Sequence, residues 1–204
     1  MKIINCDQGT DEWFAARLGV ITASNFHTLM GKGITRDNIL LDKAAEILTG
    51  VVCQYSMLNS KDIQRGHDLE PDARSAYELL SGNTVNEIGF ASLDAYVGAS
   101  PDGLIGDDGL IEIKCPRQKG FLEVVIGGAK KIKQIYRTQI QFQLYVLERQ
   151  WCDFCVYCEE FDNPIHIIRV ERNNEEIEKI KTEIERAKKD IFDILNKYNQ
   201  AMEK

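Results

Sequence analysis

The sequence lacks a long hydrophobic run and the opening pattern of a secretory signal. No apolar stretch approaches the roughly 20 residues that a membrane-spanning helix needs. The first 13 residues, MKIINCDQGTDEW, do not place a basic segment before an apolar one. We therefore expect a protein of the cytosol, without a membrane partner.

Proline is scarce, and no internal repeat, low-complexity tract or Pro/Gly/Ser-rich linker divides the chain. Only four prolines occur in 204 residues. Hydrophobic residues make up 44% of the chain and charged residues 28%, which is the balance of an ordinary globular protein. This length suits one domain, to which a helical layer can be added, and we expect a single domain over residues 1–204.

The six cysteines do not have the density of a disulfide framework in a chain of this size. Three of them, Cys152, Cys155 and Cys158, lie in the stretch WCDFCVYC. This spacing is compatible with a zinc or iron–sulfur site. It is also compatible with a buried β-strand, in which alternation sends Cys155 to the opposite face from the other two. The absence of a fourth ligand at a suitable spacing favours the strand.

Negative charge exceeds positive charge overall, but the positive residues are concentrated in one segment. The net charge is −7, whereas seven Lys or Arg residues and one Glu lie between Lys114 and Arg137. A basic stripe on an acidic protein is able to contact phosphates while the rest of the surface repels them. A solvated helix face is the alternative interpretation of the same segment.

Hydrophobic periodicity and turn signals predict helices that alternate with strands. The predicted helices span residues 10–18, 22–31, 36–49, 60–80, 130–149 and 173–200, and Pro71 is expected to kink or split the fourth. The predicted strands span residues 84–91, 95–100, 109–114, 151–158 and 165–171. This order predicts an α/β fold with a central mixed β-sheet flanked by helices, followed by a C-terminal amphipathic helix.

The stretch GASPDGLIGDDGLIEIKCP, residues 98–116, contains the strongest chemical signal. Alternation places Glu112 and Lys114 on one face of the predicted strand, and a hairpin between 95–100 and 109–114 would bring Asp102 beside Glu112. Two adjacent carboxylates repel unless a cation joins them, and oxygen ligands favour Mg²⁺ or Mn²⁺. With Lys114 to orient or deprotonate a water, the pattern predicts metal-dependent phosphodiester hydrolysis. A surface hairpin with a Glu–Lys pair is the alternative.

Four motifs occur in the order DEWFAARLGVITASNF, RGHDLEPDARSAYE, SPDGL with LIEIKCP, and GGAKKIKQIYRTQIQFQLY. In these motifs the chain resembles the lambda-exonuclease family of phage recombination nucleases (YqaJ-type), within the PD-(D/E)xK superfamily. The resemblance covers about residues 9–170. It implies a restriction-endonuclease-like core, and it implies that Asp102, Glu112 and the carbonyl of Ile113 bind Mg²⁺, with Mn²⁺ as a substitute and two ions per site. Glu70 would assist directly or through water, and Lys114 would activate the nucleophile.

The resemblance also implies a set of substrate contacts. A pocket for the 5′-terminal phosphate would be formed by Arg17, Ser24, Ser100 and Gln139. Arginine offers a forked donor for phosphate, and Ser24 lies near a predicted helix start, where free N–H groups attract anions. A surface charge for Arg17, a helix cap for Ser24 and a solvated Gln139 are the alternatives.

Three further residues are candidates for DNA contact. Gln141 and Tyr145 share one helix face and would touch the substrate backbone. Ile63 stands where a related enzyme has an apolar wedge at the duplex end, and core packing is its alternative role.

The function implied by the resemblance is a 5′-to-3′ exonuclease on linear double-stranded DNA with a 5′-phosphate end. It would release mononucleotides and leave a 3′ single-stranded tail for recombination by strand annealing. A ring-shaped homotrimer, a single-strand-annealing partner protein and a phage or prophage origin in a bacterial host are also implied. Two rival functions are a structure-specific or CRISPR-adaptation-type nuclease with an iron–sulfur cluster, and a non-catalytic module that binds DNA ends.

Overall fold

A computed structural model describes residues 1–53 and 61–203. Within these ranges the helices are α1 Asp11–Ala16, α2 Ala23–Leu29, α3 Ile34–Thr49, α4 Lys61–Ser81, α5 Gln118–Gly127, α6 Gln134–Val146 and α7 Asn174–Met202, with a 3-10 helix at Gly128–Lys131. The strands in the same ranges are β1 Lys2–Ile4, β2 Ile21–Thr22, β3 Val85–Asn86, β4 Phe90–Asp94, β5 Val97–Ala99, β6 Gly103–Ile105, β7 Gly109–Lys114, β8 Trp151–Tyr157 and β9 Ile165–Glu171.

The described strands form two mixed sheets that are flanked by helices. One sheet has the order β3-β6-β7-β8-β9, in which only β7 and β8 are parallel neighbours. The other has the order β1-β4-β5-β2, with β2 parallel to β5. The predicted α/β class is confirmed, and the single predicted sheet is divided into two.

The predicted hairpin between residues 95–100 and 109–114 is wrong. Strand β5 belongs to the four-stranded sheet, and the antiparallel partner of β7 is the short strand β6, which was not predicted. A Cβ atom on Gly103 would lie 2.2 Å from Cγ1 of Val85, so only glycine allows β3 and β6 to pair this closely. Asp102 therefore lies between a strand of one sheet and a strand of the other.

Helix α4 is continuous through Pro71, so the predicted break does not occur. Proline removes one intrahelical hydrogen bond. The buried side chains Leu69, Ala73 and Tyr77, spaced by four residues, pack against the five-stranded sheet on both sides of Pro71 in sequence. This packing offsets the lost bond.

Strand β7 is central in its sheet, and both of its faces are covered. Ile111 and Ile113 pack beneath α4, whereas Leu110 faces the core that contains α6. The predicted alternation is confirmed, and it directs Glu112 to the α6 side, where its side chain is 0% exposed. The fold thus places a carboxylate inside the core.

The three clustered cysteines lie on opposite faces of the sheet. Cys152 and Cys158 pack in the core that contains α6, and Cys155 packs beneath α4. The strand interpretation is confirmed, with β8 ending at Tyr157. The CxxCxxC spacing therefore does not bring the three thiols to one point.

Helix α7 extends over 29 residues and is amphipathic. Its buried side chains are Ile177, Ile180, Ile184, Ala187 and Ile191, and they pack against α3 and α6. In residues 1–53 and 61–203, no helix combines the length and the apolar character that crossing a bilayer requires.

Candidate active site

Asp102 lies in the loop from β5 to β6, and its carboxylate reaches the neighbouring strand β7. Oδ2 of Asp102 accepts a hydrogen bond of 2.6 Å from the backbone N–H of Ile113. Burial, and then the negative charge of Glu112, raise the pKa of Asp102 well above its ordinary value. The two carboxylates therefore share one electrostatic environment, although they come from different segments.

Glu112 is held in the core by donors from two elements. Its Oε1 accepts hydrogen bonds from Nζ of Lys114 and, at 2.7 Å, from Nε2 of Gln139. Its Oε2 accepts a hydrogen bond of 2.7 Å from Nε2 of Gln143. A buried charge is tolerated only when it is paired and hydrogen-bonded, and these three donors meet that requirement.

Lys114 is the last residue of β7, and it is a cation at neutral pH in this environment. Burial alone would lower the pKa of Lys114, but the negative charges of Glu112 and Asp102 outweigh burial and raise it. Its ammonium nitrogen also lies 5.3 Å from the ring centroid of Tyr136. The lysine is thus fixed beside both carboxylates.

Glu70 approaches the site from α4. Its Oε1 accepts a hydrogen bond of 2.7 Å from Nη2 of Arg74, and Nη1 of Arg74 pairs at 2.7 Å with Glu87. Burial raises the pKa of Glu70, and the charge of Arg74 partly offsets that increase. Glu70 therefore interacts with Asp102 and Glu112 through charge, while it accepts a hydrogen bond from Arg74.

A cavity of about 660 Å³ is lined by Asp102, Lys114 and Glu70, whereas the fully buried Glu112 is not among its lining residues. Seven residues proposed from the sequence line it, namely Ser24, Ile63, Glu70, Asp102, Ile113, Lys114 and Gln139. Three basic side chains, Arg65, Arg117 and Lys133, also lie on its wall. The cavity therefore combines carboxylates from α4 and from the loop between β5 and β6 with basic side chains on its wall.

Arg17 lines an adjoining cavity of about 300 Å³, which shares Ser24 and Ile63 with the larger one. Its guanidinium carbon lies 4.0 Å from the ring centroid of Trp13, and its Nη1 donates to Oγ of Ser100 at 3.2 Å. Ser24 is exposed at the junction of the two cavities, with its Oγ 3.3 Å from Oγ1 of Thr22.

The hydroxyl group of Ser100 takes part in three hydrogen bonds with neighbouring residues. Its Oγ donates to the carbonyl of Gly89 at 2.7 Å and accepts a hydrogen bond of 2.9 Å from Nε1 of Trp13. Together with the bond from Arg17, these contacts use the one donor and both acceptor positions of a hydroxyl group. Ser100 therefore positions the side chains that form the smaller cavity.

Gln141 and Tyr145 do not line the active-site cavity. Gln141 is 3% exposed, and its amide donates to the carbonyl of Glu171 and accepts from the N–H of Asn173, each at 2.8 Å. It therefore joins α6 to the start of α7. Tyr145 packs against the core, with Nζ of Lys181 5.5 Å from its ring centroid.

Gln143 was not predicted to be a site residue. Gln139 and Gln143 are spaced by four residues and face Glu112 together. That spacing was a usable signal, because residues four apart share a helix face.

The donor set fits a hard divalent cation. Among the described residues, no group of three or more His, Cys, Asp or Glu side chains is arranged to hold a metal ion. The site offers two carboxylates and main-chain oxygen, and Mg²⁺ is usually bound through one or two carboxylates plus waters and substrate phosphates. The high pKa of Asp102 beside Glu112 is the response expected of carboxylates that a cation would stabilise.

Comparison with known proteins identifies the family. Residues 12–150 match the YqaJ-like viral recombinase domain. The chain belongs to the YqaJ-like viral recombinase family. The predicted lambda-exonuclease-type resemblance is thereby confirmed.

Solved structures of similar proteins have the same fold. The chain is 36% identical to the alkaline exonuclease LHK-Exo from Laribacter hongkongensis, with a TM-score of 0.86 and coverage of 95% of this chain and 98% of that one. The same enzyme in complex with dAMP gives a TM-score of 0.87 at the same identity and coverage.

A phage-related exonuclease from Haemophilus somnus 129PT shares the fold at 16% identity, with a TM-score of 0.74 and coverage of 88% of this chain and 96% of that one. No curated protein matches the sequence.

Proposed function

We propose that this protein is a Mg²⁺-dependent exonuclease that degrades one strand of linear duplex DNA from its 5′ end. It would release mononucleotides and leave a 3′ single-stranded tail for recombination by annealing. The observation that carries the proposal is the convergence of Asp102, Glu112 and Lys114, of which Asp102 and Lys114 line the active-site cavity. Membership of a viral recombinase family and similarity to an alkaline exonuclease support exonuclease activity on DNA.

Asp102, Glu112 and the carbonyl oxygen of Ile113 would hold Mg²⁺, with Mn²⁺ as a substitute and two ions per site. When bound, the ion would stabilise negative charge on the phosphodiester and lower the pKa of water. Glu70 would assist from α4 after exchanging its contact with Arg74 or through a bridging water.

Lys114 would activate the nucleophile. Its ammonium group is fixed between Glu112 and the cavity, so it offers hydrogen bonds and positive charge to a water placed there. A positioned donor of this kind also stabilises charge that develops on the phosphate oxygens.

Arg17 and Ser24 would bind the 5′-terminal phosphate at the junction of the two cavities. Arg17 is preorganised by the ring of Trp13 and by Ser100, so Ser100 would contribute chiefly by holding the guanidinium in place. Gln139 would join the pocket from α6, where its amide already lies on the cavity wall. Ile63 lines both cavities, which suits contact with the end of the duplex.

The basic stripe between Lys114 and Arg137 would bind the phosphates of the duplex. Arg117 and Lys133 line the cavity, and Lys130 and Lys131 are exposed in the adjoining 3-10 helix. In a homotrimeric ring these charges would face the central channel, and the acidic remainder would limit trapping on other DNA. A single-strand-annealing protein in the bacterial cytoplasm would receive the tail.

Three DNA substrates test the proposal, each with and without Mg²⁺. They are linear duplex with 5′-phosphate, linear duplex with 5′-hydroxyl and a covalently closed circle. We expect Mg²⁺-dependent release of mononucleotides from the linear substrates, faster with 5′-phosphate, and no cleavage of the circle. Binding of DNA ends without Mg²⁺-dependent cleavage would instead support a non-catalytic end-binding module, and cleavage of the circle would exclude an exonuclease.

A further inference from the structure

Gln143 contacts Glu112 from the interior of the protein. The side chain is 0% exposed, and its Nε2 lies 2.7 Å from Oε2 of Glu112. An amide nitrogen donates hydrogen bonds and does not accept them, so the glutamine presents its NH₂ group to Glu112. The orientation of the buried amide is therefore determined by the carboxylate.

The carbonyl oxygen of this amide lacks a hydrogen bond within the described part of the chain. Within residues 1–53 and 61–203, Oε1 of Gln143 is buried and has no hydrogen-bond partner. A buried acceptor without a partner is unfavourable, and an apolar side chain of similar size would avoid that penalty. The hydrogen bond to Glu112 is the interaction that offsets it.

The two oxygens of Glu112 consequently have different surroundings. Oε1 contacts Lys114 and Gln139, which both line the active-site cavity. Oε2 contacts Gln143, which is fully buried and lies one helical turn further along α6 than Gln139. Two glutamines of one helix face thus hold opposite oxygens of one carboxylate.

We propose that Gln143 is a positioning residue for the metal-binding carboxylate. By holding Oε2, it keeps Oε1 directed towards the cavity, so that Glu112 offers a single oxygen to a divalent ion. Without this bond the carboxylate would be able to rotate and lose its alignment with Asp102. The inference rests on the proposed function, because it takes Glu112 to be a metal ligand.

Mn²⁺ binding in the absence of DNA tests the inference without relying on activity. Free Mn²⁺ is measured by electron paramagnetic resonance for the wild type and for Gln143→Met, which keeps the size of the side chain but removes the donor. Gln141→Met is the matched control, because it also removes buried hydrogen bonds from α6, on the side away from the cavity. We expect Gln143→Met to weaken Mn²⁺ binding by about 10- to 100-fold, and Gln141→Met to leave it unchanged.

Glu112→Ala separates failure of the inference from failure of the proposed function. If the wild type binds no Mn²⁺, or if Glu112→Ala binds it equally well, the proposed metal site is wrong and the inference falls with it. If Glu112→Ala abolishes binding while Gln143→Met binds like the wild type, only the positioning role is overturned. Equal weakening by Gln143→Met and Gln141→Met would also overturn it, since it would indicate general destabilisation.

A measurement on the wild type covers the case in which Gln143→Met does not fold. In the ¹⁵N-labelled protein, the side-chain NH₂ resonances of Gln143 should remain protected from exchange after Mg²⁺ is added. Those of Gln139 should shift, because its partner oxygen is the one that also contacts the cavity-lining residue Lys114. Loss of protection at Gln143 on addition of Mg²⁺ would overturn the proposal.

Discussion

Asp102 and Ile113 are joined by a hydrogen bond of 2.6 Å between the aspartate Oδ2 and the backbone N–H. This bond connects the loop between the two sheets to the central strand β7. It places the carboxylate next to the residue that follows Glu112, and it explains how two acids distant by ten positions share one site.

Asp102→Asn should abolish cleavage and preserve the fold. The amide oxygen of asparagine still accepts the bond from Ile113, but the negative charge is lost. Loss of several kcal/mol of charge stabilisation corresponds to a decrease in rate of about 10³-fold or more. Steady-state hydrolysis of 5′-phosphorylated duplex measures the effect.

The same variant should be at least as stable as the wild type when no metal is present. Burial and the charge of Glu112 oppose ionisation of Asp102, so removing its charge relieves repulsion in the folded state. Mg²⁺ should raise the melting temperature of the wild type and not that of Asp102→Asn. Retained cleavage, or an equal Mg²⁺-induced increase in both proteins, would remove Asp102 from the metal site.

Arg17→Ala should reduce the preference for 5′-phosphate over 5′-hydroxyl ends. The guanidinium would be the charged donor to the terminal phosphate, and charge-assisted hydrogen bonds contribute about 1.5–3 kcal/mol, or roughly 10- to 150-fold in that preference. Ser100→Ala should reduce it less, because Ser100 holds Arg17 without itself having a free proton to donate. The ratio of kcat/KM for the two ends is the measurement, and an unchanged ratio in Arg17→Ala contradicts the phosphate role.

Lys130→Ala and Lys131→Ala should weaken duplex binding uniformly across sequences. Each exposed lysine that contacts a phosphate releases about one counterion, so the slope of log K against log[salt] should fall by about one per residue. Fluorescence anisotropy without Mg²⁺ measures the slope. Lys189→Ala, on α7, is the control, and a slope change equal to the control's would favour the solvated-face interpretation.

Tyr77→Phe should lower the free energy of unfolding by about 1–3 kcal/mol, because the buried carboxylate of Asp153 loses a donor. The hydroxyl of Tyr77 donates to Oδ2 of Asp153 at 2.8 Å beneath α4, and neither residue lines the active-site cavity. Chemical denaturation measures the change. Loss of Mg²⁺ binding in this variant would show that the network supports the site rather than the fold alone.

The contribution of Tyr77 to the stability of the fold decreases at alkaline pH. Burial, with the hydrogen bond to Asp153, raises the pKa of Tyr77 from 10.0 to about 12. The folded state therefore keeps the proton that the unfolded state loses, and the contribution to stability is full below pH 10 and is lost as the pH rises towards 12. Tyr77→Phe should remove this part of the alkaline decline in stability.

The sequence predicted the central strand well and the strand pairing poorly. Alternation in residues 109–114 placed Glu112 and Lys114 correctly, because it depends only on backbone geometry. Pairing of 95–100 with 109–114 failed because a Pro-Asp-Gly turn does not reveal that the chain leaves one sheet for the other at Asp102. Helix α5 was missed, since its two glycines and the run Val124–Ile126 have low helix propensity and its formation depends on burial of Phe121 and Val124.

The glutamines of α6 show that local sequence patterns also fail to predict contacts within the site. Gln139, Gln141 and Gln143 alternate along the sequence, and all three are polar, so hydropathy does not distinguish their faces. Only the packing of α6 reveals that Gln139 and Gln143 face Glu112 while Gln141 faces the start of α7. The periodicity of a sequence does not predict tertiary contacts of this kind.

The most direct test of the central claim is an anomalous difference map from crystals of the protein grown with Mn²⁺. We expect a peak coordinated by the carboxylates of both Asp102 and Glu112 in the wild type, and its loss in Asp102→Ala. A peak that neither carboxylate contacts, or one that persists unchanged in Asp102→Ala, would contradict the account.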